Sequence, residues 1–287
     1  GHISTSEAAE LIAALDEELG GDTLSFHVGT GYRHIMLKRD SGALDAETLP
    51  PHDVVGLPIV DTRPTGPDAA ELLSLMDESQ DVLRGHPVNE ARVAEGKSVA
   101  NMIWLWGQGT RPRMESFSDR FGVRGAVISA VNLARGIGKL IGWQVIHVPG
   151  ATGYLDTDYG AKGRAAVESL RERDLVLVHV EAPDEASHER DAAAKVHALE
   201  QIDHHIVGPV MEYLRVRSGR VLVMPDHITS VVDGKHKRGL VPFALWGEGV
   251  EAASGVGFNE PEAEGTGVEI PDGHDLMAQL IGHERRG

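Results

Sequence analysis

Two apolar runs, each followed by an aspartate and a histidine, restrict the fold of this chain more than any other feature. Leu-Val-Leu-Val-His-Val is followed by Asp184 and His188. Val-Leu-Val-Met-Pro is followed directly by Asp226 and His227. Neither run alternates with polar residues, which is typical of strands buried on both faces, and residues 191–217 between them predict a long helix. We therefore expect a strand–helix–strand unit in which the two strands are parallel.

The polar residues after these strands predict a metal site. The carboxyl ends of parallel strands meet at one edge of the sheet, where open α/β sheets bind ligands. Asp184 and His188 are four residues apart and share one face of a helical turn. Asp226 and His227 are adjacent, so each addresses one of two neighbouring ions, or both bind one ion from an irregular turn. His236 follows closely, and carboxylates with imidazoles suit Zn, Mn, Fe or Co.

A structural explanation competes with this prediction. An aspartate beside a histidine at the end of a strand commonly caps a helix or bonds to a loop, and neither pair alone favours metal binding over such a role. The joint pattern of both pairs with His236 favours the metal site. The histidine inside the first apolar run, His179, is expected to pack in the core.

Composition limits the class of function. The chain has 287 residues and no cysteine, so a bound metal must use oxygen and imidazole ligands. The formal charge of −17 argues against a nucleic-acid partner. No apolar run is long enough to cross a bilayer and no signal-peptide pattern is present, so we expect a cytoplasmic protein without a membrane partner. The glycine pairs at 107/109 and 136/138 lack the spacing of a phosphate loop, and no nucleotide cofactor is expected.

The pattern of elements changes near residue 113. Before it, helices at 4–19 and 67–84, a hairpin with strands at 23–28 and 32–38, and a short strand at 101–106 predict an α+β domain over residues 1–112. After it, strands and helices alternate, which predicts a doubly wound α/β domain with a mostly parallel sheet over residues 113–287. Its predicted strands are 123–129, 144–148, 174–180, 220–225 and 240–246, its helices 130–141, 158–173, 191–217 and 276–281, and its long loop 248–272.

Several motifs, taken with the polar residues above, resemble one known family. They are residues 178–188, the Asp226-His227 pair, Lys235-His236 before the Val-Pro-Phe at 241–243, and the segments 31–34, 50–53, 86–89, 100–107, 125–131 and 148–153. In this order they resemble the archaeal-type, cofactor-independent phosphoglycerate mutases of the alkaline phosphatase superfamily. The resemblance extends over nearly the whole chain.

The resemblance implies a two-metal mutase. It implies an alkaline-phosphatase-like α/β domain with an inserted α+β substrate domain, which interconverts 3-phosphoglycerate and 2-phosphoglycerate in glycolysis and gluconeogenesis through a phosphoserine. One divalent ion would be held by Asp184, His188 and His236, and the other partly by Asp226 and His227. Manganese is the first choice of metal, with Mg²⁺, Zn²⁺ or Co²⁺ as alternatives. The sequence does not predict an oligomeric state.

This chain departs from the family at its amino-terminal end. The part of the family that supplies a metal-binding aspartate and the nucleophilic serine has no counterpart here, so the sheet and the second metal site are expected to be incomplete. We therefore expect no catalytic nucleophile in these 287 residues and no activity from them alone. Ser187, between two predicted ligands, is expected to be structural.

Three arginines are candidates for binding the phosphate and carboxylate of the substrate, because guanidinium groups recognise both. Arg92 ranks first, followed by Arg33 and Arg135. Two other functions remain open from the sequence. One is a different phosphatase or phosphotransferase of the same superfamily, including a homoserine-kinase-type relative. The other is a non-catalytic metal-binding protein.

Overall fold

The computed structural model describes residues 3–39, 42, 44–252 and 255–282. The chain divides into two compact units, Gly1–Pro112 and Arg113–Gly287. Within the described ranges, no helix combines the length and the apolar character that a membrane span requires.

The first unit packs helices against a two-stranded antiparallel sheet. Its elements are α1 (Thr5–Leu19), β1 (Leu24–Thr30), β2 (Arg33–Lys38), 3₁₀ turns at Pro51–Asp53 and Ile59–Asp61, α2 (Ala69–Leu83) and α3 (Pro87–Ala94). A capping box between Ser4 and Glu7 starts α1. The helix then places Leu11, Ile12 and Leu15 against the apolar side chains of β1 and α3. The predicted hairpin and both predicted helices are confirmed.

The predicted strand at 101–106 is wrong. These residues form no regular structure. Their hydrogen bonds involve side chains and not the backbone of a neighbouring strand. The Ile103 N–H donates to Ser79 Oγ at 3.0 Å. The indole N–H of Trp104 donates to the Leu49 carbonyl at 2.8 Å. The apolar alternation of this segment therefore reflects packing on α2, not membership of a sheet.

The second unit confirms the α/β class. Its three-stranded parallel sheet has β3 (Gly125–Ile128) in the centre, between β4 (Gln144–Ile146) and β5 (Leu175–Val178). The central strand is fully enclosed, which accounts for its unbroken apolar sequence. In chain order the elements are α4 (Phe117–Phe121), β3 (Gly125–Ile128), α5 (Asn132–Leu140), β4 (Gln144–Ile146), α6 (Tyr159–Ser169), β5 (Leu175–Val178), α7 (Ala182–His188), α8 (Ala192–Ile202), α9 (Gly208–Arg215), β6 (Arg220–Val223), β7 (Ile228–Ser230), β8 (Lys235–Lys237), β9 (Ala244–Gly247), α10 (Glu260–Gly265) and α11 (Asp275–Ile281).

The predicted strand–helix–strand unit requires a correction. Both strands form, but β5 bonds to β3 whereas β6 bonds antiparallel to β9, so the two strands belong to separate sheets in the described chain. The chain after β6 instead turns into the antiparallel β7–β8 hairpin, which the sequence analysis did not predict. This hairpin, not a shared sheet edge, carries the later histidines toward α7.

Two further differences have local causes. The long helix predicted over 191–217 is interrupted by a π-helical turn, Asp203–Val207, before α9. Pro209 has no N–H, so the carbonyl of His205 four residues earlier loses its helical partner.

The segment predicted as loop over 248–272 contains α10, where Asn259 accepts a hydrogen bond from the Glu262 N–H at 3.0 Å and caps the helix.

Candidate metal centre

The centre begins at α7, which follows the carboxyl end of β5. Pro183 stands in its first turn, where a missing N–H has no cost. Asp184 and His188 then lie one turn apart on the same face, and His188 Nε2 is 3.1 Å from Asp184 Oδ2. The predicted pairing of these two side chains through helical spacing is therefore present.

The β7–β8 hairpin adds the third group. Its register places Thr229 opposite His236, and His236 Nε2 lies 3.3 Å from Asp184 Oδ1. The two imidazole Nε2 atoms of His188 and His236 are 3.1 Å apart. One ligand atom from each of Asp184, His188 and His236 falls within 4.8 Å of the other two. The sequence predicted all three members of this triad.

Hydrogen bonding prepares His188 to bind a cation. Its Nδ1 donates to the Gly234 carbonyl at 2.8 Å, and a carbonyl can only accept. Neutral His188 therefore carries its proton on Nδ1 and turns the lone pair of Nε2 toward Asp184 and His236. A ring nitrogen that donates to a backbone carbonyl is the usual arrangement behind a metal-ligating imidazole. The donor set of the triad fits a divalent ion.

The electrostatics of the triad favour a positive charge at this point, whether it is a proton or a cation. Burial raises the pKa of Asp184, but the Thr229 hydrogen bond and the imidazoles of His188, His236 and His227 outweigh it, so the net shift is downward. The hydrogen bond to Gly234 raises the pKa of His188, with a smaller contribution from the Asp184 carboxylate. Burial and the charge of Asp184 raise the pKa of Glu185.

Asp226 and His227 do not make the same contacts as the triad. The His227 ring lies against that of His236, with centroids 4.1 Å apart, and its Nδ1 is 3.2 Å from Thr229 Oγ1. The Asp226 carboxylate accepts a hydrogen bond from the His227 N–H at 3.0 Å and is mostly exposed. Among the described residues, neither belongs to a group of three or more convergent ligand atoms. The structure brings His227 to the triad and leaves Asp226 beside His227.

A second convergent group, which was not predicted from the sequence, consists of Glu181, Asp184 and Glu185. Glu181 Oε2 is 3.2 Å from His179 Nε2, and His179 Nδ1 is 3.2 Å from Ser129 Oγ. His179 thus joins the carboxyl ends of β3 and β5. The expectation that it packs in the core is wrong, because it follows the last residue of β5 and its side chain remains 27% exposed.

Lys162 was also missed, and nothing in its helical sequence signals its burial. The residue is 1% exposed, and its ammonium donates to the His179 carbonyl at 3.3 Å. Burial lowers the pKa of Lys162, and the nearby Glu181 carboxylate partly opposes this. Through this hydrogen bond, Lys162 stabilises the backbone directly after β5.

Of the three predicted substrate arginines, Arg33 and Arg92 belong to the first unit and Arg135 to the second. Arg92, only 3% exposed, donates to Glu7 Oε1 at 2.8 Å and to the Ser98 carbonyl at 2.7 Å, which gives it a structural role in the first unit. Arg33 is exposed in β2, with its guanidinium 5.2 Å from the Tyr32 ring. Arg135 is half-buried near the start of α5. Substrate binding by any of them remains a prediction.

Ser187 behaves as expected for a structural residue. It is buried in α7, and its hydroxyl donates to the Pro183 carbonyl at 2.7 Å. A hydroxyl that is enclosed and bonded within its own helix is not presented to a substrate.

Comparison with known proteins identifies related chains. Residues 4–277 match the model of the metalloenzyme superfamily. A probable 2,3-bisphosphoglycerate-independent phosphoglycerate mutase of Geobacter sulfurreducens is 46% identical over 283 residues, covering 98% of this chain and 71% of that protein. The 2,3-bisphosphoglycerate-independent phosphoglycerate mutase of Methanothrix thermoacetophila is 45% identical over 284 residues, with the same coverage of both chains.

Solved structures share the fold. A protein from Pyrococcus horikoshii superposes with a TM-score of 0.79 at 24% identity, over 100% of this chain and 72% of that chain. The cofactor-independent phosphoglycerate mutase of Thermoplasma acidophilum gives a TM-score of 0.61 at 23% identity, over 95% of this chain and 70% of that chain.

Proposed function

This chain belongs to the 2,3-bisphosphoglycerate-independent phosphoglycerate mutases of the metalloenzyme superfamily, and we propose on that basis that it interconverts 3-phosphoglycerate and 2-phosphoglycerate in glycolysis and gluconeogenesis. The single observation that carries the proposal is the convergence of Asp184, His188 and His236 at the end of α7. A protein that binds phosphoglycerate without a metal does not require these three side chains to converge.

We assign the triad to one divalent ion and His227, with Asp226, to part of a second site. Manganese is the metal of choice, with Mg²⁺, Zn²⁺ or Co²⁺ as alternatives. Bound ions of this kind neutralise the charge of a transferring phosphoryl group and lower the pKa of an attacking hydroxyl. The chain's own contribution is to hold the ligand atoms together, with Gly234 and Thr229 orienting the side chains behind them.

The nucleophile is assigned to polypeptide outside these 287 residues, which span 71% of the length of the relatives. Ser187 is enclosed within α7 and is not a candidate. Arg33 and Arg135 are proposed to bind the phosphate or carboxylate of the substrate, and Arg92 to do so only if its bond to Glu7 opens. The cytoplasm, where the substrates are made, is the proposed location.

The test is an assay of 3-phosphoglycerate conversion by the complete gene product with Mn²⁺. We expect conversion with little release of inorganic phosphate, loss of activity with a chelator, and a fall of at least about 100-fold for Asp184→Asn, since removal of a ligand costs more than loss of an outer partner. His197→Gln, which removes an exposed imidazole of α8, is the matched control and should retain full activity.

The outcomes separate the rival functions. Steady release of phosphate without formation of 2-phosphoglycerate would identify a phosphatase of the same superfamily and reject the mutase assignment. Full activity of the Asp184→Asn variant would reject the metal centre. We expect the 287-residue chain by itself to bind Mn²⁺ without converting substrate. Conversion by this chain alone would overturn the assignment of the nucleophile and direct the search to Ser129, whose hydroxyl contacts His179.

A further inference from the structure

Thr229 occupies the point where the two candidate metal sites meet. It lies in the middle of β7 and is only 6% exposed, and the Lys195 ammonium donates to its carbonyl at 2.9 Å. Its hydroxyl contacts two different side chains, Asp184 Oδ1 and His227 Nδ1, the latter at 3.2 Å. One buried hydroxyl thus touches a member of the triad and the histidine assigned to the second site.

The direction of each hydrogen bond follows from the number of protons. A hydroxyl has one proton to donate, and an ionised carboxylate can only accept. Thr229 therefore donates to Asp184, and the contact with His227 requires Nδ1–H to donate to the hydroxyl oxygen. Neutral His227 then has its lone pair on Nε2. On the other side of the ring, Nε2 lies 3.5 Å from Asp226 Oδ2, a longer contact than the 3.2 Å between Nδ1 and Thr229 Oγ1, so the Thr229 contact sets the proton-bearing nitrogen.

His188 has the same tautomer as His227, but its Nδ1–H donates to a different acceptor. Its Nδ1–H donates to the Gly234 carbonyl, which also leaves the lone pair on Nε2. Two histidines from separate segments are thus held in one tautomer, each by an acceptor on its Nδ1 side. The imidazole tautomer that ligates a metal is set by the hydrogen bond that the other ring nitrogen makes.

We propose that Thr229 is a positioning residue that fixes the tautomer of His227 and the orientation of Asp184, and so couples the two candidate metal sites. The part that concerns metal rests on the proposed function. The part that concerns the His227 tautomer does not, because it follows from the hydrogen bonds of Thr229.

The tautomer is tested on the metal-free 287-residue chain at a pH where its imidazoles are neutral. Long-range ¹H–¹⁵N correlation spectra distinguish a protonated Nδ1 from a protonated Nε2, and the His227→Gln variant assigns the signals. We expect Nδ1–H for His227 in the wild type and in Thr229→Ser. In Thr229→Val the acceptor is absent, and the His227 signals should shift toward the Nε2–H form. A wild-type His227 protonated on Nε2 would overturn the proposal.

Metal affinity provides the second readout. Loss of an outer hydrogen-bond partner typically weakens metal binding about 10–100-fold. Calorimetric titration with Mn²⁺ should show a loss of that size for Thr229→Val and near wild-type affinity for Thr229→Ser, which keeps the hydroxyl. Thr152→Val is a matched control, because it removes another threonine–aspartate hydrogen bond of the second unit, from Thr152 Oγ1 to Asp156 Oδ1 at 2.6 Å. Its Mn²⁺ affinity should not change.

The results separate this proposal from the proposed function. Unchanged Mn²⁺ affinity in Thr229→Val, with wild-type affinity intact, would reject the positioning role. A wild-type chain that binds no Mn²⁺ would reject the metal centre, while the His227 tautomer would still decide the role of Thr229. Misfolding of a variant is recognised by shifts of the other histidine signals, and the wild-type spectrum needs a variant only to assign the His227 signals.

Discussion

At the scale of single residues, Glu7 joins the start of α1 to α3. Its carboxylate accepts hydrogen bonds from the Ser4 N–H and from the buried Arg92 guanidinium, both at 2.8 Å. The Ser4 hydrogen bonds, followed by the bond and charge of Arg92, lower the pKa of Glu7 from 4.5 to about 2. Because the folded-state pKa is depressed, ionised Glu7 stabilises the first unit above the unfolded-state pKa, and this contribution is lost as the pH falls from 4.5 toward about 2.

Glu7→Gln tests this pH dependence. We expect the variant to be less stable than the wild type by a constant amount between pH 7 and pH 5, and by a smaller amount at pH 3. Urea unfolding at these three pH values measures the difference. Glu10→Gln, on an exposed face of the same helix, should show little difference at any pH. A Glu7→Gln difference that persists undiminished at pH 3 would contradict the assignment of the low pKa to Glu7.

Whether a single site residue can be predicted from the sequence depends on which contacts define its role. Asp184 and His188 could be predicted because their spacing matches one helical turn, and the turn formed. Thr229 could not, because it acts through a contact with Asp184, which lies in another segment. Glu181 has the same helical spacing to Asp184 and Glu185, so a local signal for it existed and was overlooked. Arg92 was ranked first for substrate from its motif alone, and its burial beside Glu7 depends on how α1 and α3 pack, which no local pattern encodes.

At the scale of elements, α6 packs closely against the π-helical turn at Gly163. A Cβ on Gly163 would lie 1.9 Å from the His205 carbonyl oxygen, which is backbone and cannot rotate away. The carbonyl is also the one that Pro209 leaves without a helical donor. Glycine at 163 therefore permits α6 to pack on this turn.

Gly163→Ala should destabilise the chain by about 1–3 kcal/mol, the usual cost of overpacking, despite the higher helix propensity of alanine. Gly136→Ala in α5 is the control, because its added Cβ meets no atom within 4 Å, and it should be neutral or stabilising by up to about 1 kcal/mol. Chemical denaturation of both variants gives the comparison. Equal stability of the two variants would show that the backbones separate without cost.

Helices and strands were predicted correctly where the local sequence pattern was strong. Strands β3 to β5 and helices α5 and α6 were predicted because apolar strands and amphipathic helices alternate at regular spacing. The partner of β6 was not, because strand pairing depends on β9, some twenty residues later. Residues 101–106 have the alternation of a strand, yet the Ile103 N–H donates to the Ser79 hydroxyl instead of to a neighbouring strand.

At the scale of the whole molecule, every candidate metal ligand among the residues that the structure describes lies in the unit Arg113–Gly287. The two units form separate cores in the described chain, with Leu15 at the centre of one and Val127 in the other. Metal binding is therefore linked to the folding of the second unit. A ligand that binds only the folded form stabilises it by an amount set by its concentration relative to the Kd.

Hydrogen exchange of the 287-residue chain should localise this linkage. Mn²⁺ at about 100 times its Kd should stabilise the second unit by about 2.7 kcal/mol. We expect slower amide exchange in α7 and in the β7–β8 hairpin, and little change in α1 and in the β1–β2 hairpin. In Asp184→Asn the slowing should disappear, because the triad loses the carboxylate that both Nε2 atoms contact. Equal slowing in the first unit would contradict the confinement of this linkage to the second unit.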